Sequence, residues 1–273
     1  MNIDVMPARM SQTELDDLAR AIHLLERRSL AARLTGVFGR KVEAIGRAAP
    51  APARKLIVKA SEGALRAALH VAVRSLKRKP SQIAANRLHK AAVAASGALG
   101  GAFGLSALAV ELPVSTTILL RSIADIAREE GEDLSRPESS LACIEVFALG
   151  GPAKGESAVE GGYFAVRTAL AQSVSESARF LLHGAAGEAG PALVRLIAQV
   201  AARFGLVVSE KAAAQAVPVL GAVGGAAINV AFAEHFQNLA RGHFIVRRLE
   251  RRHGAEAVRF EYLRLYNSGV AAA

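Results

Sequence analysis

The amino-acid sequence predicts an all-α protein, a multi-helix bundle with two glycine-rich apolar helical hairpin segments. Alanine and aliphatic residues dominate, aromatic residues make up only 5% of the 273 residues, and tryptophan is absent. The alternating runs of β-branched and aromatic residues that are typical of strands are also missing. Because 52% of the residues are hydrophobic, the chain has enough apolar material for a core, and we predict roughly eight to twelve helices.

The N-terminal third predicts an amphipathic helix followed by shorter helical pieces. Ser11 and Glu14 have the spacing of a capping box, and apolar residues follow them at helical intervals. Residues 36–49 and 53–76 carry further helical patterns, which glycine and proline interrupt. The N-terminus has no basic segment followed by an apolar core, so it does not predict a signal peptide.

Positive charge is concentrated in the same part of the chain. The formal net charge is +10, and residues 33–90 hold fourteen Lys or Arg against only Glu43 and Glu62. The positive electrostatic field of these residues can attract anionic lipid, nucleic acid or an acidic protein. The alternative is that they form a solvated surface that binds no partner. Nucleic acid is less favoured, because the region has one aromatic residue and no known binding motif. We predict lipid or anion binding at a basic cluster before Pro80 that comprises Arg74, Lys77, Arg78 and Lys79.

Two uncharged, glycine-rich runs organise the rest of the chain. Residues 91–110 contain twenty residues without a charge, enough for a helix to cross about 30 Å of hydrocarbon. Few of their side chains are strongly apolar, so insertion is marginal, whereas small residues four apart let helices approach closely. Residues 212–233 have the same character, and insertion in lipid or packing in a soluble core stays open for both runs. The predicted helix-packing residues are Gly97, Gly100, Gly101, Gly104, Gly221 and Gly225.

A new helix is predicted after the first run. It starts at Leu112 and Pro113, because proline is tolerated in the first turn of a helix, and it ends at Gly131. Within it, Arg121 and Asp125 lie four residues apart and predict an ion pair on the helix surface.

The second half of the chain predicts further helices around one linker. Ser135 and Glu138 suggest another capping box, which opens a helix where Glu145 lies among apolar neighbours. Residues 150–162 predict a flexible linker, since their glycines do not match a phosphate-binding loop. Gly254 is expected to end a long helix. The remaining helices are predicted over residues 163–183, 191–208, 226–252 and 255–266.

The long helix carries a polar face that is the candidate site. A helical zinc motif is excluded, because its two histidines must be four residues apart, whereas His235 and His243 are eight apart. We therefore predict neither a metal nor a cofactor, and we favour a polar packing network over a hydrolase site. The candidate catalytic residues for that hydrolase are Glu234, His235, Asn238, Arg241, Arg121 and Asp125.

The single cysteine, Cys143, cannot form an internal disulfide, which favours a reducing cytoplasm. Its apolar neighbours predict a small buried hydrophobe rather than a nucleophile.

Four blocks of sequence together carry a family resemblance. They are ELPVSTTILLRSIADIAREEGEDL (111–134), LACIEVFALGG (141–151), GYFAVRTALAQSVSE (162–176) and VPVLGAVGGAAINVAFAEHFQNLARGHFIVRRLE (217–250). From about residue 80 onward, the chain resembles the EcsC protein family of bacteria. That family takes its name from a protein encoded beside an ABC transporter, so the resemblance implies a transporter or membrane link and no established reaction. The resemblance also marks positions of this chain that are expected to belong to the family pattern. They are Glu111, Pro113, Arg121, Asp125, Tyr163, Arg167, Asn229, Phe232, His235, Arg241 and His243.

These observations together predict a non-enzymatic helical interaction or accessory protein, cytoplasmic and peripheral at the inner membrane face. Residues 1–80 form its basic amphipathic region and residues 81–273 an EcsC-like domain, unless the two are one continuous domain. The expected partner is an anionic membrane surface or a membrane protein. Two alternatives stay open, a hydrolase with its site around Glu234 and nucleic-acid binding by the basic region.

Overall fold

The all-α prediction is confirmed by the computed structural model, which describes residues 10–26, 30, 51–75, 105–150, 162–182, 190–215 and 221–269. These residues form eight α-helices and no strand. The helices are α1 (Gln12–Leu25), α2 (Ala51–Ser75), α3 (Leu105–Glu129), α4 (Pro137–Leu149), α5 (Tyr163–Leu182), α6 (Pro191–Gln215), α7 (Gly221–His253) and α8 (Ala255–Asn267).

The longest helix, α7, lies at the centre of the bundle. It packs against α1, α3, α4, α6 and α8, while α6 also packs against α2, α4 and α5. Where α4, α6 and α7 meet, four fully buried phenylalanines contact one another with ring centroids 5.0 to 6.1 Å apart. They are Phe147, Phe204, Phe232 and Phe236. Clustered rings of this kind bury large apolar areas and add a favourable edge-to-face term, so they anchor these three helices together.

Several helix ends follow directly from local sequence. At the start of α1, the Glu14 side chain accepts a hydrogen bond from the Ser11 N–H at 2.9 Å, and the Ser11 hydroxyl accepts one from the Glu14 N–H. Gly131 and Gly254 have φ values of +79° and +85°, a conformation that favours glycine, so the predicted ends of α3 and α7 are confirmed. The predicted capping box of Ser135 is wrong, because the Ser135 hydroxyl and N–H both donate to Asp133 and α4 begins without a side-chain cap.

The prediction that a new helix starts at Pro113 is also wrong. The helix α3 begins at Leu105 and continues through Pro113, although proline cannot donate the usual backbone hydrogen bond. Leu112, Ser115 and Thr116 on either side are completely buried, and α3 packs against α2, α4 and α7. Tertiary burial therefore outweighs the local helix-breaking tendency of proline.

The predicted ion pair between Arg121 and Asp125 is wrong as well. Asp125 instead binds Arg128, with 2.7 Å between Oδ1 and Nη1, while Arg121 is exposed. An acidic residue that precedes its basic partner along a helix is the favoured order, because the basic group then lies nearer the negative end of the helix dipole.

The two uncharged runs have different outcomes. Residues 76–104, with the first four predicted packing glycines, lie outside the described residues. The second run is divided between the end of α6 and the start of α7, where Gly225 is buried. The pairing of the two runs as hairpins therefore stays a prediction, and so does the division into residues 1–80 and 81–273. In the first of these regions, α2 agrees with the helical segment predicted over residues 53–76, and it packs on α3 and α6, while residues 36–49 lie outside the described residues.

A buried ion pair joins α3 to α6 and α7. Lys211 Nζ lies 2.6 Å from Glu111 Oε1, and the Lys211 side chain is completely buried. The Asn229 amide donates to the same Glu111 oxygen at 3.0 Å, and Lys211 Nζ lies 4.8 Å from the ring centre of Phe232. Burial lowers the pKa of Lys211, while the neighbouring Glu111 carboxylate opposes that change. The ion pair and the Asn229 hydrogen bond thus join three helices inside an apolar core.

Candidate functional site

An apolar stripe runs along the outer face of α6. Val194, Ala198, Ala202 and Leu206 recur every four residues, with Val194 and Leu206 38% and 42% exposed. Among the described helices, α6 is the one long and apolar enough to cross a membrane, and half of its most apolar segment is buried within the bundle. Arg195 and Gln199 are exposed on the same side of α6, so the apolar side chains share this face with polar ones and remain in contact with solvent.

Exposed basic residues of α2 lie within one helical turn of the point where α2 crosses α6. A Cβ atom added at Gly205 would lie 3.2 Å from Val58 Cγ2, which places the crossing at these two residues. Within one helical turn of Val58, Lys55, Leu56 and Lys59 are exposed, Leu56 by 60%. Five basic residues and one acidic residue occur along α2 as a whole. We call this combined region the α2–α6 surface.

A separate cleft of about 480 Å³ opens between α4, α5, α7 and α8. Its lining combines a short apolar patch with four arginines and four glutamates. The charged lining residues are Arg167, Arg179, Arg247, Arg259, Glu138, Glu145, Glu250 and Glu256.

Two of the cleft arginines are held by carboxylates. Arg167 donates from both terminal nitrogens to Glu250, at 2.6 and 3.0 Å. Arg247 donates to Glu132, with 2.8 Å between Nε and Oε1, and Arg251 binds the same carboxylate. These paired contacts fix the guanidinium planes at the cleft wall.

Glu145 is the unusual member of the cleft. Its side chain is buried, with the residue only 6% exposed, and no described residue donates a hydrogen bond to its carboxylate. Burial raises the pKa of Glu145, although the nearby charges of Arg167 and Arg247 act in the opposite direction. Its oxygens are not among the fully buried polar atoms that lack a hydrogen bond in the described part of the chain, so the carboxylate is accessible from the cleft that it lines.

Behind the cleft, Tyr163 and His243 form a buried contact. The Tyr163 hydroxyl lies 2.9 Å from His243 Nδ1, and His243 Nε2 is buried without a hydrogen bond to any described residue. Arg167 stacks over the Tyr163 ring, with Cζ 5.3 Å from the ring centre. Burial, and then the charges of Arg167 and Arg247, lower the pKa of His243 well below 6.5.

A comparison with protein-family models identifies the chain's relationship. The model described as the EcsC protein family matches residues 24–249. The chain belongs to the EcsC protein family. Curated proteins and solved structures give no match to this chain. The family match begins at residue 24, well before residue 80, so the EcsC similarity includes α2 and most of the basic region.

Several of the positions that the resemblance predicted to belong to the family pattern come together in two groups. Glu111, Asn229 and Phe232 surround Lys211 in the buried ion pair. Tyr163, Arg167 and His243 form the second group, at the back of the cleft.

The residues of the predicted hydrolase site are located as follows. His235 is buried, with Nε2 3.4 Å from the Gly150 carbonyl oxygen, and Glu234, Asn238 and Arg241 are half-buried on α7. None of them lines the cleft between α4, α5, α7 and α8. His235 and His243 contact different helices, and no group of three or more His, Cys, Asp or Glu among the described residues could hold a metal ion. The hydrolase hypothesis stays a prediction.

Two other sequence hypotheses concern single features. Arg74 belongs to α2, its side chain is not described, and Lys77, Arg78 and Lys79 lie outside the described residues. The basic cluster therefore stays a prediction.

Cys143 is completely buried, and burial raises the pKa of its thiol to about 12, in line with an unreactive core residue.

Sequence reasoning missed most of the cleft. Glu145 was visible as a lone charge in the apolar run of α4, whereas Lys211 directly follows Glu210 at the edge of an uncharged run. Neither signal identifies a partner, because the partners come from helices far away in sequence. The cleft residues Arg247, Glu250 and Arg259 lie in charge-rich segments, where nothing local distinguishes them from solvated surface residues.

The buried His243 predicts a pH-dependent stability. The pKa of His243 in the folded state lies below its ordinary value of 6.5. As the pH falls below 6.5, His243 therefore binds a proton in the unfolded chain but not in the native state. This contribution makes stability decrease from about pH 7 to pH 5, by up to about 1.4 kcal/mol per pH unit. Chemical unfolding at several pH values should give a smaller slope for His243→Asn than for the wild type. Identical slopes would show that His243 titrates as in an unfolded chain.

Proposed function

We propose that this EcsC-family chain is a non-enzymatic helical accessory protein that docks on the cytoplasmic face of the cell membrane. The observation that best supports the proposal is the α2–α6 surface, where exposed apolar side chains of α6 and exposed lysines of α2 occur on two helices that cross at Gly205 and Val58. Apolar side chains beside basic ones match a lipid interface, which offers hydrocarbon below a layer of anionic head groups.

Charge supplies the long-range part of this attraction. Each Lys or Arg close to an anionic leaflet contributes about 1 kcal/mol, and α2 alone has an excess of four basic residues over acidic ones. The apolar stripe then adds short-range binding as Val194 and Leu206 leave water. The EcsC family's implied link to an ABC transporter makes a membrane protein a further candidate partner at the same place.

Binding to lipid vesicles tests the proposal. The full chain should co-sediment with vesicles containing anionic lipid and not with purely zwitterionic ones, and high salt should weaken the binding. The double variant Lys55→Gln with Lys59→Gln should bind about thirtyfold more weakly, because it removes two contributions of about 1 kcal/mol each. A matched control neutralises Arg252 and Arg264, which are 62% and 52% exposed on α7 and α8, and it should bind like the wild type.

Two outcomes would contradict this proposal. One is the absence of binding to anionic vesicles at low salt. The other is an equal loss of binding in the α2 variant and in the control, which would indicate general charge attraction without a specific surface. Competition by duplex DNA at low salt separates lipid from nucleic acid, and tighter binding to DNA than to vesicles would favour the nucleic-acid alternative.

A further inference from the structure

We propose that the cleft between α4, α5, α7 and α8 binds a small zwitterion of the amino-acid type, with its ammonium group on Glu145 and its carboxylate on Arg259. This binding site is independent of the α2–α6 surface and of the membrane proposal.

The size and apolar lining of the cleft suit such a ligand. Its volume of about 480 Å³ lies within the range of about 300 to 1,000 Å³ that is usual for small-molecule sites. Phe164, Ala171, Val174 and Ala178 provide an apolar patch along the α5 wall. An amino acid with an apolar side chain can place that side chain on this patch.

The charges of the lining favour a ligand that carries both signs. Four arginines and four glutamates line the cleft, so the fully ionised lining has no net charge. A strongly anionic or cationic ligand would meet as many like charges as opposite ones. A zwitterion can place each of its charged groups beside an opposite charge, which is the arrangement that gives specificity in charged sites.

The hydrogen bonds that the lining residues already form indicate which two of them can contact a ligand. Arg167 already donates hydrogen bonds to Glu250, and Arg247 to Glu132, so their guanidinium groups are paired within the protein. Glu145, in contrast, is buried, lines the cleft and receives no hydrogen bond from a described residue. An ammonium group offers three donors and a full positive charge to this carboxylate.

Arg259 is the complementary contact. Its guanidinium stacks over Phe164, with Cζ 5.7 Å from the ring centre, and it forms no ion pair within the described part of the chain. Arginine binds carboxylates through two parallel hydrogen bonds, which a lysine cannot match. The exposed side chain can therefore close over the carboxylate of a ligand whose apolar part lies on Phe164.

Isothermal titration calorimetry on the full chain tests the proposal with chemically matched probes. The zwitterions are leucine, methionine, valine and phenylalanine, and the analogues are N-acetylleucine, which lacks the ammonium, and leucinamide, which lacks the carboxylate. At least one zwitterion should bind, and removing either charged group should weaken its binding by about tenfold or more.

Variants assign each charged group to its residue. Glu145→Gln should lower the affinity for the zwitterion by about tenfold and leave that for N-acetylleucine unchanged, since only the ammonium contact is lost. Arg259→Gln should lower the affinity for the zwitterion and leave that for leucinamide unchanged. Arg264→Gln is the control, because this exposed arginine of α8 pairs with Glu261 and does not line the cleft.

The variants remain interpretable because neither breaks a core contact. Glu145 has no hydrogen bond from a described residue to lose, and Arg259 is exposed, so circular dichroism should show wild-type folding for both. Failure of all four zwitterions to bind overturns the proposal. Equal binding of leucine and N-acetylleucine, or wild-type affinity in Glu145→Gln, overturns it equally.

Discussion

Lys211→Met should destabilise the protein by about 3 to 5 kcal/mol, because it leaves the Glu111 carboxylate buried without its positive partner. The methionine fills a similar volume, so the loss reports the uncompensated charge rather than a cavity. Urea unfolding followed by far-ultraviolet circular dichroism measures the change.

The double variant Lys211→Met with Glu111→Gln separates this explanation from simple loss of packing. A neutral glutamine can still accept the Asn229 amide hydrogen bond that Glu111 accepts now at 3.0 Å. The second substitution should therefore restore most of the lost stability. A double variant that is no more stable than Lys211→Met would contradict the view that unpaired charge causes the loss.

Glu132→Gln should destabilise the protein by about 2 to 4 kcal/mol, since several donors converge on this one carboxylate. Gly131, with its positive φ, turns the chain after α3 so that the Glu132 side chain points inward and is 2% exposed. There it accepts hydrogen bonds from Arg247, Arg251 and Ser139. A glutamine offers only one acceptor atom and places an amide N–H group against these donors.

The effect of Glu132→Gln should depend on pH in a defined direction. Burial alone would raise the pKa of Glu132, but hydrogen bonds from Arg247 and Ser139 and the charges of Arg247 and Arg251 lower it. The stabilisation is therefore present above the ordinary pKa of 4.5 and is lost as the pH falls through the folded-state value. Glu129→Gln, at an exposed position near the end of α3, is the control and should change stability by less than about 0.5 kcal/mol. A wild-type-like Glu132→Gln would contradict the network.

The sequence was informative where structure depends on near neighbours. The capping box at Ser11 and the glycine-ended helices α3 and α7 depend on contacts within a few residues, and these predictions are confirmed. The prediction at Pro113 is wrong because burial against other helices decides the outcome there. Local pattern and tertiary packing give different answers at that residue, and packing prevails.

The cleft could not be predicted from the sequence in the same way. Its charged residues come from four helices, and Glu145 meets Arg167 and Arg247 only after those helices have packed. Tyr163 and His243 are 80 positions apart, and Lys211 and Glu111 are 100 positions apart. A single sequence contains no signal for such distant pairs, although each lone charge in an apolar segment indicates that a partner must exist.

Fractionation of bacterial cells that express the full chain is the most direct test of membrane docking. After lysis at low salt, the protein should sediment with the membranes, and high salt should release it if charge dominates the attachment. If the apolar stripe of α6 inserts, only detergent should release the protein, and neutralising Lys55 and Lys59 should shift part of it to the soluble fraction. Recovery of the wild-type protein entirely in the soluble fraction at low salt would contradict the proposed function.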